Sequence, residues 1–286
     1  MQKNITYLAL IYAWFFAMPA FAGDRLLATG GVTQIEGAGG GGLTPWALIA
    51  GYGTDHQVGA SAYYSALTTN GGFAISSKGI SVGFYNRLEV ALSQQKLGLS
   101  DTVPGASIKL NTVGIKLRLI GDAIYDQDNW LPQIAAGVQF KHNEDFSFVP
   151  QALGAQKASG VDAYLSASKL YMAAIAGRNL LLNATLQATK ANQFGLLGFG
   201  GDKHDHYRLQ PAVSAALMLS DQVLVGVEYR AKPDNLKIYK EDDAKDVFVT
   251  WFPQKNFSVT AAYLDLGNIA NKDNQSAWYL SGQVSY

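Results

Sequence analysis

Cysteine is absent from the 286-residue chain. No disulfide can brace the fold, even in an oxidising compartment. Net charge is absent as well, since 22 Lys and Arg balance 22 Asp and Glu. That removes any bulk attraction to nucleic acid. Charged residues make up only 15% of the chain, against roughly 25% in soluble domains. Beyond the N-terminal region no apolar run reaches the roughly 18 residues of a membrane-crossing helix. What is abundant is glycine, with 30 residues, and aromatic side chains, at 12%. Apolar surface spread thinly over many strands, rich in Gly and aromatics and poor in charge, is the composition of a membrane β-barrel.

Both ends of the chain carry signals. Lys3, the apolar run Ile5 to Met18 and the small-x-small site Ala20-Phe21-Ala22 read as a cleaved secretory signal peptide over residues 1–22. At the other end Trp278, Leu280, Gly282, Val284 and Tyr286 alternate with Tyr279, Ser281, Gln283 and Ser285. Period-2 alternation means a strand with one apolar and one polar face. A terminal strand of this kind, closing on an aromatic, resembles the C-terminal signal by which outer-membrane barrels are recognised by the barrel-assembly machinery.

Strand patterns fill the region between. Candidates fall at 43–54, 56–68, 79–86, 88–98, 107–120, 130–142, 163–175, 178–191, 206–219, 222–232, 245–253, 255–267 and 277–286, with a weaker one near 25–36. The stretch 163–175 keeps no single phase and also reads as a short helix. Connections alternate long and short. The last strand ends on the periplasmic side, so 268–276 is an outer loop and the others follow in register. Gly121 to Asn129 is the exception, a long connection on the short-turn side. The expected fold is all-β, a transmembrane antiparallel up-and-down barrel of about 14 strands, with 12 possible. Residues 43–286 form the barrel, and the Gly-rich segment 23–42 is either its first strand or a plug in the lumen. Trp46, Tyr52, Tyr64, Trp251, Tyr263, Trp278 and Tyr286 take the lipid-facing parity near strand ends, where aromatic girdles form.

The block Thr29 to Thr54, TGGVTQIEGAGGGGLTPWALIAGYGT, and the pieces Tyr85-Asn86-Arg87-Leu88-Glu89-Val90 and Asn111-Thr112-Val113-Gly114-Ile115-Lys116 resemble an exported Gram-negative family catalogued as domain-of-unknown-function family 3034. The resemblance covers most of the chain. It implies an outer-membrane barrel with no assigned activity, and it carries over no catalytic or binding residue.

Three motifs suggest chemistry and are better read structurally. Gly37 to Gly42 fits G-x-G-x-x-G, but a strand follows where a dinucleotide site needs a helix. Asp202-Lys203-His204-Asp205-His206 is rich in metal ligands, yet its spacing fits no standard zinc pattern and Lys203 opposes a cation. His142 lies on the lipid-facing parity near the outer rim, a position used by outer-membrane phospholipases, but no serine nucleophile motif accompanies it. No catalytic residue, cofactor or metal is expected, and the chain does not read as an enzyme.

The inward parity carries the remaining signal. Arg87, Lys116, Arg118, Lys141, Arg208, Arg230 and Lys232, with Glu89 and Glu228, face the lumen or its rims, and Arg87 and Lys141 are expected nearer the rims. Such charges avoid the lipid face, where they cost about 2–4 kcal/mol near the midplane. A basic lumen favours anionic solutes. The expected function is therefore a porin-like channel in the outer membrane with a mildly basic lumen. The alternative is a structural, assembly or lipid-conduit barrel, plugged by its own N-terminal segment and without conductance. Expected partners are outer-membrane lipid and the assembly machinery.

Overall fold

A computed structural model describes residues 23–286, so the expected signal peptide lies outside the described residues. Two short strands, β1 (Val32–Thr33) and β2 (Gly39–Gly40), pair with each other. Twelve long ones follow: β3 (Val58–Thr69), β4 (Ala74–Phe84), β5 (Leu88–Gly98), β6 (Ser107–Ile120), β7 (Gln133–Asn143), β8 (Ser159–Ile175), β9 (Arg178–Thr189), β10 (Arg208–Ser220), β11 (Val223–Arg230), β12 (Ala244–Gln254), β13 (Phe257–Asp265) and β14 (Ser276–Ser285). Each pairs antiparallel with its sequence neighbours, and β14 closes on β3 to complete a twelve-stranded barrel. Closure leaves no edge strand, the condition for crossing a bilayer.

The alternation that marks these strands sets their two faces. Leu182, Leu186, Val213, Val227, Val247 and Leu280 are exposed on the outer wall. Their neighbours on the opposite parity, such as Asn183, Gln187, Ser214 and Ser281, are buried inside. An apolar outer wall around a polar interior is the reverse of a soluble protein and the rule for a membrane barrel. Among the girdle candidates, Tyr64, Trp251, Tyr263 and Trp278 stand exposed on that wall. Tyr263 meets Trp278 edge-on, with ring centroids 5.2 Å apart. Several inward aromatics instead lie over glycines of the adjacent strand. A Cβ on Gly137 would sit 2.2 Å from the Tyr164 ring, and one on Gly226 would sit 2.6 Å from Phe248.

Residues 43–54 are not a barrel strand, and 25–36 holds only β1. Leu43, Trp46, Leu48, Ile49 and Tyr52 are all at least 98% buried. Trp46 and Tyr52 therefore do not belong to the girdles. The segment is apolar because it is enclosed on every side, and an unbroken apolar run cannot say whether sheet or lumen encloses it. The stretch 163–175 is strand throughout, as part of β8. The long periplasmic exception, residues 121–132, folds under the barrel mouth. Its Tyr125 hydroxyl accepts a hydrogen bond from the Leu26 amide at 3.1 Å.

Candidate functional site

Residues 24–54 enter the barrel from the end where β14 terminates, run up the lumen and return. The Arg25 guanidinium donates to the carbonyls of Ile49 (3.0 Å) and Gly51 (3.2 Å), tying the two limbs together. At the exit, the Tyr52 and Ala60 amides both donate to the Tyr286 carbonyl at 2.9 Å. Plug, first barrel strand and last strand thus meet at one carbonyl.

Inside, the plug is hydrogen-bonded around most of the barrel's circumference. At its tip the Ile35 carbonyl accepts from Tyr63 of β3, Ser77 of β4 and Gln95 of β5. Lower down, Glu89 of β5 accepts from the Gly39 amide (2.9 Å) and the Ala50 amide (2.8 Å), one on each limb. Lys116 of β6 donates to the Gly39 and Leu48 carbonyls (2.8 and 2.7 Å) and lies 3.1 Å from Glu89. Glu228 of β11 accepts from the Leu43 amide (2.7 Å), from Thr44 and from Ser214 of β10. The Pro45 carbonyl accepts from Ser166 of β8 and Thr185 of β9.

The glycines make this fit possible. The backbone at Gly41 lies so close to the wall that a Cβ there would stand 1.9 Å from Glu228 Oε1. Gly37 turns the tip with φ of +97°, a left-handed conformation that favours glycine. The Gly-rich run is therefore a close backbone approach and not a phosphate cradle.

Glu36 is the plug's charged tip, and it is fully buried. It pairs with Lys141 of β7 and, at 2.7 Å, with Arg230 of β11. Lys141 also pairs with Asp162 of β8 at 2.6 Å. Lys141, two residues from the outer end of β7, is completely buried here beneath the inserted outer loop. A second inserted segment meets the tip from the opposite end. The loop 190–207 folds inward through a 3-10 turn at Asn192–Gly195. Its Phe194 ring lies 4.6 Å from the Arg230 guanidinium carbon, and its Phe199 is fully buried. Beneath the outer loops, Phe73, Leu97, Ile108, Leu110 and Ile269 complete an apolar cap. Between Ile35, Phe194 and Tyr279 a cavity of only about 10 Å³ remains, the room of one water at most.

The outer loops are cross-braced. Lys232 donates to Gln193 (2.7 Å) and to the Leu266 carbonyl (2.8 Å), and lies 3.5 Å from Glu241. Burial pushes the Glu241 carboxyl up to about 7, with Lys232 pulling the other way.

Of the remaining charged positions read from sequence, Arg118 is half-buried and pairs with Asp122 at 3.1 Å, while Arg87 and Arg208 are exposed at opposite rims. Sequence reasoning missed the inward acids Asp162 and Asp246, the plug's Glu36, and Phe194. Asp162 and Asp246 sit on the inward parity of β8 and β12, and both are buried. Counting them brings the buried wall near charge balance. At the C-terminus Trp278 and Leu280 face outward, Tyr279 is buried and Tyr286 is half-buried. His204 and His206 stack edge-on at 5.4 Å in an outer loop, where Lys203 pairs with Asp234. Among the described residues no group of three or more His, Cys, Asp and Glu side chains is placed to hold a metal ion.

A family model described as a protein of unknown function, DUF3034, matches residues 29–283. No curated protein matches. Among solved structures, the NanC porin is 11% identical, with a TM-score of 0.50 over 79% of this chain and 98% of that one. The KdgM porin (11% identical, TM-score 0.49, 79% and 99%) and the Acinetobacter baumannii outer membrane protein Omp33 (9%, 0.48, 82% and 100%) are similar at a lower level. The likeness is one of fold. The apolar outer wall and closed sheet are those of a membrane-spanning β-barrel.

Proposed function

The chain belongs to the DUF3034 family, and we propose that it is a channel-type outer-membrane barrel that rests shut, with residues 24–54 as its internal gate. One observation carries this reading: the plug is bonded to inward side chains around the barrel wall, where an open pore needs water. The bonds are polar and reversible, so the plug is held by contacts that can be exchanged for water. In the shut state Lys116, Lys141 and Arg230 are occupied by the plug. In the open state they would stand beside Glu89, Asp162 and Glu228. A preference for anions would then depend on the rim residues Arg87, Arg118 and Arg208 and be weak.

The absence of cysteine gives a clean test. Thr44→Cys with Ser214→Cys joins two side chains that are hydrogen-bonded across the plug-wall boundary. In planar bilayers the unmodified barrel should show a closed baseline with voltage-driven openings. The double variant should show none when oxidised and recover them on reduction. Steady conductance with the disulfide formed would show that the plug is no gate. Silence in every condition would favour the structural reading, which the near-balanced interior also supports.

A further inference from the structure

The outward face of the barrel should be apolar, yet on β4 to β8 its outer half is not. Lys78, Gln94, Asn111, His142 and Ser159 form one lateral row, each directly opposite the next across adjacent strands. All five lie on the outward parity, with Lys78, His142 and Ser159 exposed and Gln94 and Asn111 half-buried. Gln94 donates to Asn111 at 3.0 Å, and His142 Nδ1 shares a hydrogen bond with the Ser159 hydroxyl at 2.7 Å. One step nearer the outer loops, Lys96 stands directly opposite Lys109, both exposed. Like charges in register destabilise a sheet unless something anionic lies between them. Exposed Lys157 extends the arc past Ser159.

The acids along this arc are Glu144 and Asp145. Glu144 lies 3.8 Å from Lys109 and accepts from Asn111, while Asp145 accepts the Lys109 amide. Lys78, Lys96, Lys109 and Lys157 outnumber them. Two clefts open on the same wall, of about 490 and 610 Å³, and they share Asn111 and Val113. On the midplane side they are floored by Ile80, Leu92, Val113, Phe140 and Val161. Basic and amide groups at headgroup height above an apolar floor are complementary to an anionic amphiphile and to no part of a hydrocarbon layer.

We propose that this arc binds the phosphorylated headgroup of an outer-leaflet lipid, with Lys78, Lys96, Lys109 and Lys157 facing its phosphates and its acyl chains lying along the clefts. The inference rests on the membrane orientation of the barrel and is independent of the gate. The full barrel in detergent micelles, mixed with diphosphoryl lipid A, should retain that lipid in native mass spectrometry. The same lipid stripped of its phosphates should be retained far less. Lys78→Gln/Lys96→Gln/Lys109→Gln should lower retention at least about tenfold. Lys237→Gln/Lys240→Gln, on a different outer loop, should not. Heat-shifted gel migration confirms that each variant is folded. Equal retention of both lipids, or no effect of the triple variant, would overturn the proposal. So would a dimer of the chain that the triple variant dissociates, since a second copy would then be the occupant. Release of fatty acid that is lost in Ser159→Ala would also overturn it, making the row a reaction centre.

Discussion

The guanidinium of Arg230 on β11 donates at 2.7 Å to the carboxylate of Glu36, 194 residues earlier in the chain and at the tip of the inserted segment. Lys141 binds the other oxygen of the same carboxylate. The plug is thus pinned at its deepest point by one acid between two cations.

Replacing Glu36 leaves those cations buried with less compensation. Glu36→Ala should destabilise the folded barrel by about 3–5 kcal/mol, the usual result of removing one partner of a buried pair. Glu36→Gln should cost less, because the amide oxygen still accepts a hydrogen bond. Both should raise the frequency of channel openings. Urea unfolding followed by tryptophan fluorescence and bilayer recordings check the two halves separately. Unchanged stability with unchanged conductance would mean the pin does not hold the plug.

Gly41 and Gly42 give a matched pair. A Cβ at Gly41 falls 1.9 Å from Glu228 Oε1, whereas at Gly42 the nearest contact is 3.6 Å. Gly41→Ala should shift the plug and destabilise it by about 1–3 kcal/mol. Gly42→Ala should be close to neutral. Amide hydrogen exchange over residues 38–46 reads the difference, and equal protection in both variants would contradict the described fit.

The outer loops should respond to pH through Glu241. Burial raises its carboxyl to about 7 from the ordinary 4.5, with Lys232 opposing and Asp234 adding to the rise. The folded state therefore favours the neutral acid. Its stabilising contribution is whole below about 4.5 and is lost as pH rises through about 7. The urea midpoint of unfolding should fall over that window, even though the Gln193 amide, which donates to Glu241 at 2.6 Å, gains a charged acceptor. Glu241→Gln should flatten the response. A profile unchanged by that substitution would assign the pH dependence elsewhere.

Tyr286 and Tyr279 separate insertion from packing. Tyr279 is 5% exposed and turned into the lumen, whereas Tyr286 ends the outward face. Deleting Tyr286 also removes the carbonyl shared by Tyr52 and Ala60. Loss of Tyr286 should lower the amount of inserted barrel in cells more than Tyr279→Phe does. Equal yields would argue against an assembly role for the terminal residue.

The barrel itself was legible in the sequence because lipid imposes period-2 alternation on the strands that cross it. Legibility failed where that rule was broken. The first half of β4 carries Ser76 and Lys78 on its outward parity, so the strand reads from sequence as starting only at 79. The pattern puts Trp46 and Tyr52 on the lipid face because a lumen and a bilayer enclose an apolar residue equally well. Asp162 lay one residue outside the expected strand, which hid an acid from the lumen and made the wall look more basic than it is. Glu36 and Phe194 had no local signature, since their partners are set by the curvature of the barrel.

The doubled path of residues 24–54 constrains how the molecule can be made. A chain that enters and leaves by the same mouth has to pass through it as two limbs side by side. Its exit is fastened to the Tyr286 carbonyl, which also takes the Ala60 amide, at the seam where β14 meets β3. Passing both limbs through a finished mouth orders them together at an entropic cost, which strands wrapping around a settled hairpin avoid. The simplest order is that the inserted segment settles against the growing sheet first and the seam between β3 and β14 zips last. The segment that shuts the finished barrel would then have served as the mandrel on which it was wound.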